Sequence, residues 1–207
     1  MARLRSRCRR EQTTVNGALT VAYQRAAAEH LPAGAYARLT TAVNLRRFCE
    51  PPVDNQHFGC FIMMAQSVHN LSAQPFWDQA RACQQQLQHE ITGLQRQGFA
   101  PPAFHKSFIA AAMTKNIEQG NNDHAFAGGL AVSNMGVLNY SDPNGPVQIR
   151  ELYFGAPQLS GLYMLFLVVC TLNEKLYYTF SFPEPLLSRQ SATQIADTFS
   201  AELQACC

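Results

Sequence analysis

Val15, Ala18, Leu19, Ala22 and Ala26 recur at the three-and-four spacing that places them on one face of a helix. Thr13 or Thr14 stands just before them, where a side-chain oxygen can accept from an orphan amide and cap the helix. The pattern stops near Leu31-Pro32-Ala33-Gly34. Residues 36–45 alternate loosely and contain Thr40, Thr41 and Val43, which suit a pleated, half-buried surface and predict a strand. Glu50-Pro51-Pro52 ends it, and residues 58–68 predict a second strand. Beyond Pro75 a long amphipathic helix is expected, with Phe76, Ala80, Cys83, Leu87, Ile91 and Leu94 on one stripe and a glutamine-rich face opposite. Gly98 and Pro101-Pro102 break it, and a shorter helix over 104–117 follows.

Gly120-Asn121-Asn122-Asp123 reads as loop, and from Leu130 the periodicity turns to β structure. Four strands are predicted, over 130–138, 147–153, 163–172 and 176–182, the last two joined by a short hairpin loop at Asn173-Glu174-Lys175. Pro183 and Pro185 stop the sheet. Ser188 caps a last helix whose stripe is Ala192, Ile195, Phe199 and Leu203. The order is helix, two strands, two helices, four strands, helix. It predicts a mixed α/β architecture, one sheet of about six strands with helices packed on it. No repeat or linker divides residues 1–207, which read as a single domain.

Composition sharpens this in one respect. Hydrophobic residues make up 47% of the 207 and charged residues only 14%, where about 25% charged is usual. So few charges suggest that one face is hidden against a partner. The net charge of +2 gives no general case for nucleic acid or an anionic membrane. Arg3, Arg5, Arg7, Arg9 and Arg10 make the start basic and read as a solvated helix start or loop, with a transit peptide or a phosphate-binding arm as alternatives. No apolar run follows to make a secretory signal. The longest apolar run, residues 162–170, is far short of the roughly 18–20 residues of a membrane span and reads as a buried strand. The seven cysteines, Cys8, Cys49, Cys60, Cys83, Cys170, Cys206 and Cys207, are irregularly spaced and form no Cys-x-x-Cys pair. Neither a metal site nor a disulfide framework is expected, and a reducing cytoplasm is the default setting. In that setting the sequon Asn70-Leu71-Ser72 is discounted.

Candidate chemistry is sparse. None of the six histidines is doubled or set at a metal-ligating or metalloprotease spacing; His124, beside Asp123, is the best placed of them for general-base work. No Gly-x-Ser-x-Gly elbow or phosphate-cradling glycine loop occurs. Val132-Ser133-Asn134-Met135-Gly136-Val137 is an apolar run broken by a polar pair. Polar groups at the end of a buried strand face a cavity or a ligand, or simply cap the strand. Arg46 ends the strand Val43-Asn44-Leu45-Arg46. It gains interest if it meets a carboxylate across an interface, where a bidentate pair fixes geometry. Tyr153-Phe154-Gly155-Ala156-Pro157 is an aromatic-glycine turn closed by proline.

Thr13-Thr14-Val15-Asn16-Gly17-Ala18-Leu19, then Val43-Asn44-Leu45-Arg46 with Pro51-Pro52, then Val132-Ser133-Asn134-Met135-Gly136 occur in this order and at suitable distances. Together they resemble the C-terminal half of the condensation-domain and CoA-dependent acyltransferase superfamily, nearest the phthiocerol dimycocerosyl transferase and alcohol acetyltransferase branch. The resemblance covers residues 5–203. It implies one lobe of a two-lobed, chloramphenicol-acetyltransferase-like fold with a tunnel between the lobes. An acyl thioester, on CoA or on the phosphopantetheine of a carrier protein, would enter from one side and an alcohol or amine from the other, with no bound cofactor. The general base of that family is the second histidine of a His-His-x-x-x-Asp-Gly motif in the N-terminal lobe. This sequence contains no such motif.

Carried over by position, the resemblance makes Ser133 and Asn134 tunnel-lining or oxyanion-binding candidates. It makes Arg46 a partner for the motif's aspartate that keeps the lobes in register. Phe154 and Gly155 keep the core of an Asp-Phe-Gly-Trp-Gly turn; Tyr153 replaces its aspartate, and its second glycine is lost. Residues 158–162 would match a floor loop. The expectation is an acyltransferase lobe that is inactive alone and needs an N-terminal lobe, in the same chain or as a separate subunit. The alternative is a non-catalytic binding or assembly module that self-associates or docks a carrier protein.

Overall fold

The computed structural model describes residues 1–30, 37–69, 74–96, 129–139, 145–155, 163–185 and 187–207. Among the described residues, four helices pack with a five-stranded mixed sheet. The helices are α1 (Ala2–Arg10), α2 (Val15–Ala27), α3 (Phe76–Arg96) and α4 (Arg189–Ala205). The strands are β1 (Ala37–Asn44), β2 (Ile62–His69), β3 (Leu130–Val137), β4 (Leu165–Leu172) and β5 (Lys175–Ser181). Their order across the sheet is β2-β1-β3-β4-β5. The outer pairs β1/β2 and β4/β5 are antiparallel; the inner pairs β1/β3 and β3/β4 are parallel. The expected helix over 104–117, His105, His124 and the loop at 158–162 lie outside the described residues.

Helix α2 occupies the middle of the molecule. The sequence shows one apolar stripe on it, yet residues 17–24, Ala26 and Ala27 are all buried, because α1, α3, α4 and the sheet surround it. Thr14 is its cap, accepting from the Gly17 amide at 3.1 Å. Thr13 instead donates to the Ala80 carbonyl of α3 at 3.1 Å. At this crossing a Cβ on Gly17 would lie 2.7 Å from the Ala80 oxygen, so only glycine allows the approach. Lower in α2, the Tyr23 hydroxyl donates to the Leu165 carbonyl at 2.7 Å. Burial raises the Tyr23 pKa well above its ordinary value and keeps it a donor. The Tyr23 ring meets Phe180 of β5 and Phe199 of α4, with centroids 5.8 and 6.5 Å apart. Ala192, Ile195, Phe199 and Leu203, the expected stripe of α4, are its buried face, and Ser188 caps it.

Two elements differ from expectation. The basic start forms a full helix, α1, whose Leu4 and Cys8 enter the main core one turn apart. Arg5 pairs with Glu174, and the Arg7 guanidinium lies over Trp77, 5.3 Å from the ring centre. The predicted strand over 147–153 is a correction: these residues form no strand, and among the described residues the sheet has five strands where about six are expected. Both edges of β4 are already taken by β3 and β5. The segment is held by side chains instead. Asn173 Nδ2 donates to the Ile149 carbonyl at 3.1 Å, and the Tyr177 hydroxyl donates to that of Arg150 at 2.9 Å. Leu152 and Phe154 pack on Cys170, Leu172 and Tyr177. The β4–β5 turn is tight, with Asn173 and Glu174 both at positive φ (49° and 60°), as two-residue hairpins require.

Two substitutions test this packing. Tyr23→Phe leaves the Leu165 carbonyl unpaired in the core and should cost about 1–3 kcal/mol, read as a lower urea midpoint at unchanged slope. Gly17→Ala gains about 1 kcal/mol of helix propensity, but forcing α2 from α3 should outweigh it by a further 1–2 kcal/mol or so. A more stable Gly17→Ala protein would show that the crossing is loose.

Candidate functional site

A cleft of about 670 Å³ opens between α2, α3 and one face of the β1–β2 half of the sheet, within the size range of ligand pockets. Its walls follow from strand alternation. Leu39, Thr41 and Val43 of β1 and Ser67 and His69 of β2 point to this face. Cys83, Leu87 and Ile91, part of the expected stripe of α3, line the opposite wall with Gln84. Thr14, Asn16, Gly17 and Thr20 close it along α2, while Asn134 and Gly136 of β3 and Arg46 stand at its edge.

Asn134 is held at both ends. Its Nδ2 donates to Asn16 Oδ1 at 3.3 Å, and its Oδ1 accepts from the Gly136 amide at 2.9 Å. Gly136 has φ +74°, and the register of β3 against β4 shifts between Asn134 and Val137. The glycine thus permits a bulge that the asparagine side chain closes. Ser133 is one residue earlier and opposite Val168, so it points to the other face of the sheet. Of the two candidates on β3, only Asn134 lines the cleft.

Arg46 lies just past β1, in the 3₁₀ turn Arg46–Phe48, rather than on the strand. Its Nε donates to the Asp54 carbonyl at 3.1 Å and its Nη2 to that of His57 at 2.9 Å, and it lies 4.7 Å from the Phe61 ring centre. Beside it, His57 Nδ1 is 2.6 Å from Asp54 Oδ1 in an exposed pair. That hydrogen bond is the main reason the Asp54 carboxyl sits below its ordinary pKa. Phe154 and Gly155 are away from the cleft: Phe154 packs by Cys170 and Tyr177, and Gly155 has open space where a Cβ would stand.

Sequence reasoning did not single out the histidine the cleft contains. His69 is buried, with Nε2 2.7 Å from Ser67 Oγ and Nδ1 3.4 Å from Cys83 Sγ. The signal available was Ser67-Val68-His69 on a strand, two polar side chains on one face. Desolvation lowers the His69 pKa and raises that of Cys83 to about 12, so both are neutral at pH 7. Among the described residues no group of three or more His, Cys, Asp or Glu could hold a metal ion, and no helix is long and apolar enough to cross a membrane.

The sequence profile of the phthiocerol/phthiodiolone dimycocerosyl transferase C-terminus matches residues 1–154. The chain belongs to this family. The fold agrees with that membership. The condensation domain that mediates chain release from the enacyloxin polyketide synthase superposes with a TM-score of 0.65 at 14% identity, over 99% of this chain and 38% of that one. Polyketide synthase associated protein 5 from Mycobacterium tuberculosis gives 0.62 at 12% identity, over 97% of this chain and 49% of its own. The wax ester synthase/diacylglycerol acyltransferase from Marinobacter aquaeolei VT8 gives 0.54 at 13%, over 99% and 46%. At such identities the likeness shows the fold alone, and the chain spans less than half the length of each. No curated protein matches the sequence. The family match and the fold thus agree: the chain has the phthiocerol/phthiodiolone dimycocerosyl transferase C-terminus profile, and its fold is shared with part of each of these structures.

The lowered pKa of His69 makes stability depend on pH. Unfolding releases the imidazole to its ordinary value of 6.5, so below about pH 6.5 the unfolded chain binds the proton more readily than the folded one. The His69 contribution is therefore complete above pH 6.5 and is lost as pH falls toward the lower folded pKa. Thermal midpoints should drop between pH 7.5 and 5.5, and less steeply in His69→Gln. Equal slopes for the two proteins would remove His69 from the account.

Proposed function

We propose that this chain forms one wall of an acyl-transfer site, moving an acyl group from a CoA or carrier-protein thioester to an alcohol or amine once an N-terminal lobe completes the cleft. The observation that carries this reading is that Asn134 and Arg46, from two separate motifs of the family resemblance, stand on one cleft. Attack of an alcohol on a thioester carbonyl needs a donor for the developing oxyanion and a base for the hydroxyl proton. Asn134 suits the first task. One Nδ2 hydrogen is engaged by Asn16, the other is free to donate, and the bulge at Gly136 fixes the amide in place. Its neighbour Ser133, facing the other way, fits a strand-end polar cap better than an oxyanion donor.

The base would come from the second histidine of the partner lobe's motif, and Arg46 would meet that motif's aspartate. Two backbone carbonyls hold the Arg46 guanidinium already, so a carboxylate would find it preorganised, with donors to spare. Phe154 would pin the segment before the floor loop against β4 and β5. The exposed apolar residues Ile62 and Val68 of β2 and Val147 support a covering partner, the other lobe or a second copy, as the low charge leads one to expect. All seven cysteines are free, which supports the cytoplasmic setting.

Purified alone, the chain should transfer no acetyl or long-chain acyl group from CoA to alcohols. Turnover that survives replacement of every histidine would overturn the reading. Combined with a lobe bearing His-His-x-x-x-Asp-Gly, it should gain turnover. In that enzyme Asn134→Ala should lower kcat about 10²-fold with KM little changed, and an unchanged kcat would return Asn134 to shaping the bulge. A complex that assembles but stays inactive would favour a binding module.

A further inference from the structure

The inner end of the cleft carries polar groups for which acyl transfer has no use. Ser67 and His69 come from β2 and Cys83 from α3, all lining the cleft and only 6%, 8% and 7% exposed. Ser67 Oγ is 2.7 Å from His69 Nε2, and Cys83 Sγ is 3.4 Å from His69 Nδ1 and 3.6 Å from Gln24 Oε1. Two side-chain amide atoms are buried without a partner among the described residues. Oε1 of Gln84 belongs to the cleft wall, whereas Nε2 of Gln24 belongs to a residue that does not line the cleft. Buried polar atoms are nearly always paired, so the orphaned acceptor of Gln84 on the cleft wall points to a ligand group that donates to it.

The cluster is electrically neutral. It contains no carboxylate or cation, and the cleft's arginines, Arg46 and Arg47, belong to the turn after β1, whereas His69 faces the start of that strand. Leu39, Leu87 and Ile91 give the same cleft an apolar lining. A charged ligand group would lose its hydration here and find no counter-charge among the described residues of this end. The Ser67–His69 contact has the spacing of a nucleophile and its base. Yet proton transfer would leave an imidazolium facing a neutral thiol, with nothing to stabilise it. Recognition, not covalent chemistry, is what these groups can do.

We propose that Ser67, His69 and Gln84 form a binding subsite for an uncharged hydroxyl or amide group carried on an apolar chain. The group donates a hydrogen bond to Gln84 Oε1 at the polar end beside Ser67 and His69, and the chain lies along Leu39, Leu87 and Ile91. The subsite rests on the cleft's own geometry, so it is tested in this chain without any transfer reaction, and a failure of the acyl-transfer reading leaves it standing.

The test is NMR titration of the chain with 1-octanol, N-methyloctanamide, octanoate and octylammonium, following the His69 imidazole resonances. Octanol or the amide, or both, should bind saturably and shift those resonances, and each ion should bind at least tenfold more weakly. Ser67→Ala and Gln84→Leu should each weaken binding of the neutral probe about 3–10-fold, while Gln85→Ala, an exposed α3 residue off the cleft, should not. Two variants are used because His69 itself is a packed residue whose replacement disturbs the fold. Octanoate binding as tightly as octanol, affinities untouched in both variants, or no binding of either neutral probe would each overturn the assignment.

Discussion

Everything in this lobe depends on burying α2 on all sides. A helix in that position has no solvent to satisfy its polar side chains, so Thr20, Tyr23 and Gln24 must find partners inside. Tyr23 does so at the Leu165 carbonyl, tying α2 to the start of β4 at the middle of the sheet. Gln24 does so only in part, through the Cys83 thiol. The same helix presents its first turn to the cleft and bonds Asn134 through Asn16. The site is therefore shaped by the core helix and not by surface loops, which gives its geometry the rigidity of the interior.

The elements with a single buried face were legible in the sequence. Helix α4 shows its stripe because one side meets the core and the other meets water. The stripe on α3 is equally clear, and its Cys83, Leu87 and Ile91 line the cleft. Periodicity understates α2 for the opposite reason: an all-round environment erases the contrast between faces. The segment 147–153 looks like a strand because Val147, Ile149 and Leu152 are apolar. Whether such a segment pairs as a strand or, like this one, is held by side-chain contacts to Cys170, Leu172, Asn173 and Tyr177 depends on tertiary neighbours that local pattern does not contain.

The site was legible in part for a related reason. Ser133 and Asn134 are equivalent in sequence, and only the alternation of β3, read from Leu130 and Val132 in the core, separates them to opposite faces. Arg46 was found, but its carbonyl partners lie in a loop whose path the sequence does not reveal. Ser67, His69 and Cys83 are scattered over two elements and match no motif. Their proximity follows from the antiparallel register of β1 and β2 and from the angle at which α3 crosses, neither of which spacing alone encodes.

Strand β2 has one hydrogen-bonded neighbour among the described residues, β1. Its outer rim has no strand partner among the described residues, and it lies beside Ile62 and Val68, both about half exposed. Such a rim is a template on which any extended chain can add a strand. A charged residue placed on this rim would oppose such strand addition without touching the cleft, whose walls lie on the face that carries Ser67 and His69.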